Sequence, residues 1–398
     1  MSMLDWRYYP KIARIARMAG ADVGRGSETL MTYSRGDLFR AARHLSGSKE
    51  GRPARALVVT GFYIPKAAQP AAETDGPLGA LEVCMALRAI GGDAWLVSDE
   101  CCAPVIRPSA LGFLPDDHVL IAPNANPKGG FDAWLNGVID LAKTEHIDTL
   151  VYIERVGPAR DGSPHNMRGI DIAEWTAPLS QLTLLGLHTI GVGDGGNEIG
   201  MGRVEDYAIE GVVDHGENIA CTVPTDQLVV AGTSNWGAHA LVCAMRALGR
   251  SAVDPYLEPT WQERVLDVIV EYGGLDGVHM TNVATVDGLE PDRYFKQVVP
   301  GGLEFRYSNR IEMSNEDRIK LYSLITDKYE VAADEIEKEF GINVGRQLNV
   351  IPGLGFGAEG GSSGLSHNDR GIMSDEEYFR RYGRPRGAKV GNFLRGAE

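Results

Sequence analysis

The sequence is poor in the features that would assign it at once. Five cysteines occur in 398 residues (Cys84, Cys101, Cys102, Cys221 and Cys243), and none forms a C-x-x-C pair. That pattern argues against a disulfide framework or a structural zinc site, and a reducing compartment, the cytoplasm, is the expectation. No apolar run approaches the roughly 18–20 residues of a membrane span. The first twenty residues, "MSMLDWRYYPKIARIARMAG", lack the continuous apolar stretch of a secretory signal. Basic residues are in deficit, 39 Lys and Arg against 54 Asp and Glu, for a net charge of −15. No nucleic-acid or anionic-membrane partner is therefore expected. The chain has no H-E-x-x-H and no closely spaced histidine pair, and no G-x-S-x-G elbow follows any of its strand-like apolar runs, so zinc and serine hydrolases lack support. Its glycine-rich stretch at 351–366 does not end in the G-K-[ST] of a phosphate loop.

What is present is an ordinary globular composition, 43% hydrophobic and 23% charged. Short apolar runs recur at 56–62, 94–98, 118–122, 149–154, 187–193 and 227–232, and read as buried strands. Helix-compatible spacing lies between or after them at 76–90, 131–146, 170–185 and 234–249. The alternation predicts an α/β fold: a three-layer, mostly parallel sheet with helices on both faces. Residues 1–299 are expected to form this domain behind a helical lead-in. Residues 300–398, helical, then glycine-rich, then basic, read as a C-terminal extension and a candidate oligomerisation arm. In such sheets ligands bind beyond the carboxyl ends of the strands, and five strands here run into polar or glycine-rich loops, the first of them carrying Thr60.

Four loops carry chemistry. "GVGDGGNEIGMG" (191–202) literally contains G-x-G-x-x-G, but Asp194 sits where a phosphate would need positive surroundings. Asp194, Asn197 and Glu198 instead offer hard oxygen ligands suited to Mg²⁺ or Mn²⁺, with simple helix capping as the bland alternative. "ETDGPLGA" (73–80) adds Glu73 and Asp75, the latter explicable as a cap. "IERVGPARDGSPHNMRGIDI" (153–172) brings Glu154 and Arg155 off one strand, with Asn166 and Arg168 following. Its arginines can either clamp a substrate carboxylate or pair with neighbouring acids. "AGTSNWGAHAL" (231–241) places Ser234 and Asn235 at a helix start, an anion site or a plain cap. So many like charges at one rim require a cation or a retained proton.

These motifs, with "VVTGFYIP" and "VDGL" in the same chain order, resemble the D-glutamate cyclase family, in particular its C-terminal cyclase-like domain. The likeness covers roughly residues 30 to 295. It implies a metal-assisted carbon–oxygen lyase that closes D-glutamate, or a related amino dicarboxylate, to 5-oxo-D-proline with loss of water. Carried over onto this chain, the likeness implies catalytic roles for Glu154, Asp75 and Glu73. It also places Asp194, Asn197 and Glu198 in the site; from the residues themselves we expect these three to ligate the metal, and Thr60, Arg155, Asn166, Arg168, Ser234 and Asn235 to contact substrate. The expected cofactor is Mn²⁺ or Mg²⁺, the partner a small anionic amino-acid-like substrate, and the assembly a homo-oligomer. Other readings are a metal-dependent hydrolase or lyase on another carboxylated lactam or lactone, or a non-catalytic sensor of a small ligand.

Overall fold

The structure, a computed structural model, describes residues 8–47, 51–124 and 130–295. The extension expected at 300–398 lies outside these residues. Six strands build the main sheet: β1 Arg55–Val59, β2 Asp93–Asp99, β3 Val119–Ala122, β4 Thr149–Ile153, β5 His188–Gly193 and β6 Gln227–Val230. Every neighbouring pair is parallel, and the spatial order is β3-β2-β1-β4-β5-β6. The longer helices are α1 Tyr9–Ala19, α2 Asp37–Ser46, α3 Pro77–Ala89, α4 Ala103–Ala110, α5 Gly130–Thr144, α6 Ser234–Ala247 and α7 Pro259–Glu271. Among the described residues no helix is long and apolar enough to cross a membrane.

The strands show no in–out alternation because both faces are covered; β4 and its last residue are buried throughout. Leu57, Val59, Trp95, Val97, Leu150 and Tyr152 share one core with Phe131, Val138 and Ala142 of α5. α6 lies against the opposite side chains. A Cβ on Gly237 would meet Val192 at 2.5 Å, and one on Gly79 of α3 would meet the Ala238 Cβ at 2.6 Å. Glycine at those two points brings α3, α6 and the sheet into close contact.

One expected helix is absent. Residues 173–175 and 179–185 form 3₁₀ turns, with irregular chain between them. Pro178 offers no N–H and disfavours helical backbone at Ala177. The carbonyls of Ala177 and Leu179 instead accept hydrogen bonds from Arg155 (2.7 Å) and the Tyr152 hydroxyl (2.9 Å). The chain leaves β1 toward β2 and β3 on one side, then returns to β4 on the other. The loops after β1 and β4 therefore part, and open a crevice at this switch point.

Candidate active site

Four strand-end loops meet in that crevice. After β1, a short ladder of Tyr63–Ile64 with Ala71–Ala72 turns the chain back to Glu73, Thr74 and Asp75. Gly76 follows with φ of +97°, and a Cβ there would stand 2.7 Å from both the Glu154 Cβ and Thr60 Oγ1. Only a glycine lets these loops close on one another. Glu154, directly after β4, adopts left-handed backbone (φ +47°), as does Asp287 (φ +53°). Such conformations are costly for non-glycine residues and persist where the surroundings enforce them. The loop on either side of Asp287 is tied to Asp276, whose carboxylate accepts bonds from Val278 N–H, His279 N–H, Gly288 N–H and the Thr285 hydroxyl.

The glycine-rich loop after β5 does cradle an anion, but the anion belongs to the protein. The backbone N–H groups of Asp194, Gly195 and Gly196 donate to the Glu198 carboxylate at 3.0, 2.7 and 2.8 Å. Such a nest of N–H groups explains the glycine spacing without any nucleotide. Asn197 is held by its Nδ2, which donates to the His165 carbonyl at 2.8 Å, and its Oδ1 is buried with no partner.

The N-terminus of α6 is filled in the same way. Ser234 and Asn235 N–H groups both donate to Asp75 at 2.8 Å, so Asp75 caps α6 rather than its own helix α3. The Ser234 hydroxyl donates to Glu154 Oε2 at 2.6 Å. Asn235 braces the Asp75 loop: its Oδ1 accepts from Gly76 and Gly79 N–H at 2.9 Å each, and its Nδ2 donates to the Thr74 carbonyl at 3.1 Å. The expected substrate contacts of Ser234 and Asn235 are thus groups already bonded to Asp75, Glu154 and the β1–α3 loop.

Glu73, Asp75, Glu154, Asp194, Glu198 and Asp287 are all buried here. Among the described residues the guanidinium that bonds into this cluster is that of Arg25, to Asp194 at 2.7 Å and to Asp287 at 2.5 Å. Burial raises the carboxyl pKa of Glu73, Asp75 and Glu154 well above the usual range. The negative charge of Asp287 adds to the first two, and that of Glu198 to the third. Burial raises Asp194 as well, against the opposing pull of Arg25. Burial also works against the Arg25 charge, but Asp194, Asp287 and Glu154 outweigh it and keep the guanidinium protonated.

Two triads of carboxylates, Asp75/Asp194/Asp287 and Glu154/Asp194/Glu198, each offer one oxygen per residue within 4.8 Å of the others. Asp194 Oδ1 and Asp287 Oδ2 are buried and unpartnered. An all-oxygen set with free acceptors suits a hard divalent cation, and Asp194 belongs to both triads.

The sequence-predicted residues divide accordingly. Glu73, Asp75, Glu154, Asp194 and Glu198 come together, with Thr60 against Gly76. Arg155 leaves the same strand but turns away: its guanidinium bonds Asp99 at 2.6 Å and the carbonyls of Gly61 and Ala177. The Asn166 side chain accepts Arg168 and Ile170 N–H groups and shapes a turn, and Arg168 is exposed. Arg25 and Asp287 escaped the sequence reading. For Arg25 the available signal was "DVGRGS", where Asp22 Oδ1 accepts the N–H groups of Gly24, Arg25 and Gly26 and presents the arginine. Asp287 lies in the quoted "VDGL".

Comparison with known proteins gives the family of the chain. Residues 15–300 match the family described as D-glutamate cyclase-like, C-terminal. The chain is also similar to human "D-glutamate cyclase, mitochondrial", 32% identical over 311 residues. That alignment takes in 70% of this chain and 49% of the human protein, so the chain spans about half the length of the curated relative it matches. The acids of the crevice thus sit in a chain that belongs to the D-glutamate cyclase-like family, through its C-terminal domain.

Proposed function

We propose that this site closes D-glutamate, or a closely related amino dicarboxylate, to 5-oxo-D-proline. The α-amine attacks the γ-carboxyl carbon, a C–N bond forms, and a C–O bond breaks to release water. The observation that carries the reading is six buried carboxylates gathered at the switch point against one guanidinium, with unpartnered Asp194 and Asp287 oxygens among them. Family membership and the name of the human relative support the substrate.

Ring closure carries two protons from nitrogen to the departing oxygen, with no net gain or loss. Glu154 suits that transfer: burial and the nearby Glu198 charge let it hold a proton where an ordinary carboxylate would release it. The Ser234 hydroxyl fixes one of its oxygens. Glu73, also raised by burial, offers a further proton-holding site. A Mn²⁺ or Mg²⁺ ion on the carboxylates of Asp75, Asp194 and Asp287 would supply Lewis-acid polarisation of the γ-carboxylate, a poor electrophile when ionised. The buried loops hold amine and carboxyl in reach of each other and exclude water. All five cysteines are free thiols, which suits a reducing compartment such as the cytoplasm.

The test is direct. Purified protein is dialysed against chelator, repleted with Mn²⁺ or Mg²⁺, and given D- or L-glutamate, with products resolved by chiral chromatography and mass spectrometry. We expect 5-oxo-D-proline from D-glutamate, lost on chelation and restored by metal. No product with any divalent cation refutes the activity, and turnover untouched by chelation refutes the metal.

A further inference from the structure

Ring closure leaves one group of the substrate without a partner. The α-carboxylate takes no part in the bond changes, and a wall of carboxylates repels it. The anion-binding ends of the fold are already occupied: Asp75 caps α6 and Glu198 fills the glycine-rich nest. Arg155 is committed to Asp99 and two carbonyls, and Arg168 is exposed. We propose that Arg25 is the receptor for the substrate's spectator α-carboxylate, held ready by Asp194 and Asp287 until substrate arrives. This rests on the activity proposed above.

Position supports the role. The Arg25 side chain is 20% exposed, whereas the side chains of Asp194 and Asp287 behind it are 1% exposed. The arginine side chain is therefore the more exposed member of each pair and lies on the solvent side of the two acids. Its five N–H donors exceed what two acids accept, and its planar fork matches a carboxylate.

The segment that carries Arg25 is built for placement. Asp22 Oδ1 gathers three successive N–H groups around it, at 2.8, 2.8 and 3.1 Å. Upstream, the Ala19 carbonyl accepts the Gly232 N–H at 2.8 Å, and a Cβ on Gly232 would stand 2.1 Å from the Ala21 carbonyl oxygen. The bare backbone of Gly232, in the loop that leads into α6, lets the N-terminal segment pass against the site. Arg25 thus reaches the crevice from the N-terminal segment, far in sequence from the strand-end loops that carry the acids.

The test compares D-glutamate with 4-aminobutanoate, which has the same amine and reacting carboxyl but no α-carboxylate. In the wild type kcat/KM should strongly favour D-glutamate. Arg25→Ala should shrink that ratio about 10- to 100-fold, the worth of a charge-assisted contact, and Arg25→Lys should fall between. A merely structural role would lower both substrates by one factor and leave the ratio intact, which would overturn the proposal. Independently, D-glutamate should protect Arg25 from phenylglyoxal in mapped peptides, and 4-aminobutanoate should not. Arg25 modified equally at saturating D-glutamate also overturns it. If the wild type makes no product from D-glutamate, the activity reading fails instead. Protection of Arg25 by glutarate then upholds a carboxylate receptor, and its absence ends that idea too.

Discussion

Replacing Asn235 with alanine tests how the site is held together. Its side chain makes three buried hydrogen bonds, to the N–H groups of Gly76 and Gly79 and to the Thr74 carbonyl. Truncation leaves all three groups buried without a partner, at about 1–3 kcal/mol each. Relaxation of the loop recovers part of that, and alanine's better helix propensity at the start of α6 recovers about 0.5 kcal/mol. The expected loss is about 3–5 kcal/mol, a large fraction of the roughly 5–15 kcal/mol that holds a typical domain folded. Urea unfolding followed by circular dichroism reads this as a lower midpoint with an unchanged slope. The same variant should bind Mn²⁺ more weakly in titration calorimetry, because the braced loop carries Asp75. A loss under about 1 kcal/mol, paired with a raised KM, would refute the brace and make Asn235 a direct substrate ligand.

Two further outcomes follow from the same geometry. Arg155→Met should cost about 3–5 kcal/mol of stability, because it leaves the buried Asp99 carboxylate unpaired; a selective KM defect at native stability would contradict that role. Burial raises the pKa values of Glu73, Asp75 and Glu154, so the fold retains protons that the unfolded chain gives up. Their burial costs nothing below the ordinary carboxylate range, and stability declines as pH rises from there through the raised values. A cation that replaces those protons should therefore stabilise more at about pH 8 than at about pH 6. Scanning calorimetry with and without Mn²⁺ checks this, and a melting-temperature gain independent of pH would contradict it.

The strands were legible because each is an apolar run buried on both faces, a signal carried by a few adjacent residues. Glu73, Asp75, Glu154, Asp194 and Glu198 were legible because each lies in a connection that follows a strand of the parallel sheet, which sends those connections to one rim. The 170–185 helix was misread because Pro178 and two carbonyl contacts from the strand β4 region outweigh the local spacing. Ser234 and Asn235 do mark an anion site, but nothing in the local pattern says that the anion is Asp75. Arg25 was hidden for a different reason. Its partners lie 169 and 262 positions away, and no periodicity encodes a pairing at that distance.

That distance bears on how the protein is made. The link from Arg25 to Asp287 ties nearly the first described segment to nearly the last. During synthesis, β1 to β4 can pair before Asp287 has emerged, yet Arg25 gains its second acidic anchor only when both ends are in place. Closing so long a loop is an entropic cost met late, after the sheet has formed. A chain stalled or clipped before residue 287 would keep Arg25 and Asp194 but lose the second anchor of the guanidinium, so ligand-dependent protection of Arg25 would report on completeness of folding as well as on binding.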